Sequence, residues 1–62
     1  MTGKEYQRLN DLVEELEISA RRNLAAVDGT DSKEYKAMYD TRAKAYQDCA
    51  EALRKVLRSL NE

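Results

Sequence analysis

The sequence predicts an all-α protein: an antiparallel two-helix hairpin with helices over about residues 3–27 and 32–60. Three observations predict it. Turn-forming residues gather at one internal place, Asp28-Gly29-Thr30-Asp31-Ser32, a composition that marks a connection. The 62 residues include no proline, and the only other glycine is Gly3, so nothing interrupts the segments on either side. Within those segments apolar residues recur at alternating steps of three and four, the spacing of a helical seam.

The first helix is expected to start just after Thr2. Thr2 and Glu5 have capping-box spacing, in which the hydroxyl accepts a backbone N–H and the carboxylate reaches back. Met1 and Tyr6 then occupy the hydrophobic-staple positions. Tyr6, Leu9, Val13, Leu16, Ala20 and Val27 form the seam, with Asn23 in its one polar slot. Gly29 is expected to close the helix in the left-handed conformation.

The second helix is expected to start near Ser32, with Asp31 as cap acceptor and Glu34 three residues on. Its seam reads Tyr35, Tyr39, Tyr46, Cys49, Leu53, Val56 and Leu60, with Arg42 in the polar slot. Arg54, Lys55 and Arg58 lie toward its C-terminus, where positive charge suits the helix dipole. A connection this short makes neighbouring helices pack antiparallel.

The two apolar stripes differ in width. At roughly 100° per residue, Leu12, Leu24 and Tyr6 bound an arc of roughly 120° on the first helix. On the second helix Met38, Ala45 and Ala52 extend one edge and Ala43, Ala50 and Leu57 the other, giving roughly 180°. One facing helix covers only a stripe. The second helix is therefore expected to keep apolar surface for another chain, and Met38, Ala43, Ala45, Ala50, Ala52 and Leu57 are the candidate partner-binding residues. Ile18 stands alone on the far side of the first helix.

A chain of this length is a single domain, residues 1–62, with a thin core. Its one cysteine, Cys49, excludes an intrachain disulfide, and it has no histidine, so neither usual staple is at hand. Association, with itself or with another chain, is the remaining route. The single cysteine fits a reducing compartment, and no run resembles a signal peptide or membrane span, so a cytoplasmic location is expected.

No enzyme machinery is expected, and no cofactor or metal. Glu14 and Glu17 share one face while Glu15 lies elsewhere, and together with Asp11 they read as solvated surface, with Glu17 balanced locally by Arg21 and Glu14 by Arg22. Cys49 lacks an activating base and reads as a small buried residue. Charged residues make up 37% of the chain, yet net charge is only −1. Acids interleave with the bases, so no basic stripe for nucleic acid is expected. Four tyrosines with no phenylalanine or tryptophan suit either an interface whose hydroxyls stay wet or the rim of a thin core. Arg42 reads as a stem over the core with its head in water.

Leu16-Glu17, the turn Asp28-Gly29-Thr30-Asp31-Ser32-Lys33, Tyr35 and Lys44-Ala45 resemble the small E-type co-chaperones of type III secretion needle proteins. The resemblance covers about residues 16–60; before that the chain is similar only in being an acidic amphipathic helix. It implies a helical hairpin that binds a helical-repeat G-type chaperone and helps hold the needle subunit soluble before export. It implies no particular contact residues. The expected function is therefore a non-catalytic co-chaperone with a helical protein partner, self-associated when free. The alternatives are a self-associating helical-bundle adaptor and a small phage-type inhibitor sequestering a host protein or nucleotide.

Overall fold

Thr2 opens the first helix as expected. Its backbone is extended (φ −77°, ψ 159°), its Oγ1 accepts the Glu5 N–H at 3.2 Å and its carbonyl accepts the Tyr6 N–H at 3.1 Å. The helix it caps is α1, Gly3–Asp28, and the second is α2, Lys33–Asn61. Each boundary lies within one residue of its expected position. The computed structural model describes residues 2–61, so the staple expected between Met1 and Tyr6 falls outside the described residues.

Two details of the turn differ from expectation. Gly29 is not left-handed: with φ −88° and ψ 0° it continues the right-handed sense, and its N–H donates to the Ala26 carbonyl at 3.1 Å. This i to i−3 bond tightens the last turn and satisfies a carbonyl that would otherwise lack a partner. A Cβ at Gly29 would meet only the Ala26 and Ala25 carbonyl oxygens, at 3.6 and 3.8 Å, ordinary contacts.

The cap of α2 is Ser32, not Asp31. Ser32 Oγ accepts the Tyr35 N–H at 3.3 Å and its carbonyl accepts the Lys36 N–H at 2.9 Å. Thr30 decides between the two candidates. Its Oγ1 accepts the Ser32 N–H at 3.3 Å, a local side-chain turn that brings Ser32 to the helix entrance. Glu34 remains in the first turn, where a carboxylate suits the dipole.

The two helices pack along their length, with Cα extents of 46 × 16 × 11 Å, a layer about one helix thick. On α1 the expected seam holds. Val13 and Ala20 are buried, and Tyr6, Leu9 and Leu16 pack as half-buried neighbours. Asn23 fills its polar slot without a cross-helix partner: its Nδ2 donates to the Ser19 carbonyl at 2.8 Å.

On α2 the seam is displaced. Ala43, Ala50 and Leu57 are the buried residues, joined by half-buried Leu53, whereas Tyr35, Cys49, Val56 and Leu60 are exposed. Tyr39, Tyr46 and Leu53 lie close to both stripes. The difference amounts to turning α2 by roughly 50°. Two physical reasons favour the observed orientation. It keeps the Arg42 charge out of the core, where it would cost several kcal/mol unpaired. It also sets Ala43 and Ala50 against α1, so the backbones can approach and fully buried Val13 fills the space beside Ala50.

Candidate functional site

The hairpin has two flanks, one on each side of the seam, and a single ion pair tells them apart. Glu17 on α1 accepts a hydrogen bond from the Arg54 guanidinium of α2. Each of these residues is turned roughly 60° from the middle of its buried stripe. Because they meet, the sides of both helices turned that way form one flank. Residues turned the other way form the opposite flank: Leu12 on α1, roughly 80° from the stripe, and Cys49 and Val56 on α2, roughly 80–100° from it.

The flank holding Glu17 and Arg54 is charged. Glu14 and Arg21 join it from α1, and Lys36, Asp40, Gln47, Glu51 and Arg58 from α2. Asp40 pairs with Lys44 at 3.0 Å, one turn along the helix. A shallow recess of about 240 Å³ lies here, lined by Glu17, Ala20, Arg21, Leu24 and Gln47. That is below the usual size of small-molecule sites. Leu24, 46% exposed, adds a large apolar side chain on this side. Glu17 spends its carboxylate across the hairpin rather than on Arg21, the local partner that its spacing suggested.

The other flank is apolar on α2, whereas α1 contributes Leu12 among polar residues that include Glu5, Arg8 and Ser19. Leu12 is 42% exposed, Val56 52% and Leu60 57%. Cys49, Ala45 and Ala52 are exposed beside them, and Met38 is half-buried toward the turn. Tyr35 continues the strip, its ring stacked on Tyr39 with centroids 6.4 Å apart. Arg42 interrupts the strip and forms no ion pair among the described residues. Apart from Arg42, the α2 part of this flank is apolar from Tyr35 to Leu60, longer than the scattered apolar exposure of an ordinary surface.

The six candidate partner residues therefore separate. Met38, Ala45 and Ala52 lie on the apolar flank. Ala43, Ala50 and Leu57 do not: they are 1%, 2% and 4% exposed, and the surface they were expected to offer is the hairpin's own core. The reason is the rotation of α2, which exchanges the edge expected to be spare with the edge expected to be buried. The same rotation brings Cys49, Val56 and Leu60 out of the expected core and onto the flank, and reverses the burial expected of Cys49. Arg42 was the signal for this in the sequence, because a seam through it must bury or bend a charged side chain.

No three His, Cys, Asp or Glu side chains among the described residues are grouped to hold a metal ion. No described helix is long and apolar enough to cross a membrane. Comparison of the chain with known protein families, curated proteins and solved structures gives no match.

Proposed function

We propose that this chain is a non-catalytic protein-binding module that docks its apolar flank on a helical partner. The observation that carries the reading is the one-sidedness of the surface. Leu12, Met38, Val56 and Leu60 line one flank together with the small residues Ala45, Cys49 and Ala52, while the charged side chains of α2 gather mainly on the other. Large anchors at helical spacing, with small residues between them, suit a partner helix lying along the groove. Small residues permit close approach, and the anchors supply the area.

The resemblance to E-type co-chaperones gives the partner a specific class: a helical-repeat chaperone that holds a type III secretion needle subunit before export. This role belongs in the cytoplasm. The test mixes the purified chain with the G-type chaperone and needle subunit of its host. The expected result is a stable complex by size-exclusion chromatography, lost in Val56→Glu and kept in Ile18→Glu, which places the same charge on the back of α1. Absence of a complex with the wild-type chain sinks the secretion assignment. A Val56→Glu chain that binds as tightly as wild type sinks the flank as the docking face.

A further inference from the structure

We infer that the free chain is a two-fold symmetric dimer, in which the apolar flank of one copy covers the apolar flank of another with the two α2 helices antiparallel. This assignment concerns the purified chain alone and stands or falls independently of any secretion partner.

The exposed area matches what a second copy would cover. A compact folded protein of 7.1 kDa exposes roughly 4,100 Å². This hairpin exposes 5028 Å², an excess of roughly 900 Å², close to the ~800 Å² that each partner buries in a standard interface. The shape agrees. The 46 × 16 Å outline of the layer offers a footprint of roughly 700 Å² on one flank, enough for such an interface. Stable domains bury a core between two layers, and the hairpin supplies one.

The order of residues along α2 sets the pairing, because the apolar strip from Met38 to Leu60 is centred on Cys49. Small residues occupy the centre of the flank, at Ala45, Cys49 and Ala52. Larger ones occupy both ends, Met38 toward the turn and Val56 and Leu60 toward the open end. A two-fold axis near Cys49 brings each residue n of α2 to the level of residue 98 − n in the other copy. Small centres then face each other, and Met38 of each copy meets the other's open end near Leu60. A parallel pairing would instead set each Arg42 at the level of its own twin. The axis also carries Arg42 to the other copy's Val56 level, away from its own twin and toward the end where Glu5 lies on the same flank of α1. Net charge of −1 puts little repulsion between copies.

Two measurements test this. Sedimentation equilibrium over micromolar to submillimolar concentrations is expected to give twice the chain mass for wild type and for Ile18→Glu. Val56→Glu is expected to lose the dimer and sediment at the chain mass. A short bismaleimide is then expected to join Cys49 to Cys49 in wild type, and to give no dimer with Ile18→Cys in a Cys49→Ala background. Wild type sedimenting at the chain mass while remaining helical overturns the proposal. So does a dimer that Val56→Glu leaves intact, or one whose Ile18→Cys thiols join as readily as those of Cys49. Should Val56→Glu unfold, the wild-type mass and the crosslinking contrast still decide.

Discussion

The two flanks of this hairpin are made by the same two helices, yet one is finished and the other is not. On the charged flank, side chains find partners within the chain: Arg54 with Glu17 across the seam, and Lys44 with Asp40 along α2. On the apolar flank Leu12, Val56 and Leu60 stand about half exposed, uncovered by the other described residues. Helix chemistry does not force this contrast, since lysine or glutamate would serve Val56 and Leu60 as well as arginine serves positions 54 and 58. The exposed half of each leucine and valine contributes nothing to a hairpin that works alone, whereas a fully covered side chain is worth about 1.5–3 kcal/mol. The difference teaches that the seam sets the fold and the apolar flank sets the company it keeps.

The largest expected effect separates the seam from that flank using neighbouring residues. Leu57 is 4% exposed and Val56 is 52% exposed. Leu57→Ala is expected to destabilise the chain by about 3 kcal/mol, the transfer and cavity costs together. Val56→Ala, in solution dilute enough to hold the chain monomeric, is expected to cost under about 0.5 kcal/mol. Urea unfolding followed by circular dichroism at one fixed protein concentration measures both. Equal losses would mean that α2 is turned to the orientation its tyrosines suggested, and that the two flanks are wrongly divided.

A smaller effect tests the turn, which lies outside both flanks and should leave their contrast untouched. Ser32→Ala removes the acceptor for the Tyr35 N–H and is expected to cost about 1 kcal/mol. Asp31→Ala removes only a charge near the helix start and is expected to cost a few tenths, about 0.3 kcal/mol. Thermal unfolding of the two variants ranks them. The reverse order would return the cap to Asp31.

How much of this could be read in the sequence follows from what each signal depends on. The helices and their ends were legible because caps and turns act locally. Thr2 needs only Glu5, and the choice between Asp31 and Ser32 was missed because it rests on the Thr30 hydroxyl, a detail of turn geometry rather than of spacing. The α1 seam was legible because its arc is narrow and admits one orientation. The α2 seam was not, because an apolar arc of about 180° fits several orientations nearly as well. What selects among them is the pairing of Val13 with small Ala50, and the exclusion of Arg42, which only the packed pair reveals. The candidate site inherited that ambiguity: Met38, Ala45 and Ala52 stayed on the surface, while Ala43, Ala50 and Leu57 became core.

The smallest effect probes the ion pair that divides the flanks. Glu17 and Arg54 side chains remain 39% and 44% exposed, so water and salt screen them. A double-mutant cycle with Glu17→Gln and Arg54→Gln is expected to give a coupling of about 0.5 kcal/mol, in the range of exposed pairs. Raising the salt from ~0.1 M to ~1 M shortens the Debye length to about 3 Å and is expected to remove most of it. The apolar contacts at Leu57 should respond in the opposite sense when the salt is sulfate, which strengthens burial. A Glu17–Arg54 coupling that survives ~1 M salt would mean that this flank, too, is shielded from water. The hairpin would then present two covered faces instead of one, and the charged side would join the apolar side as an interface.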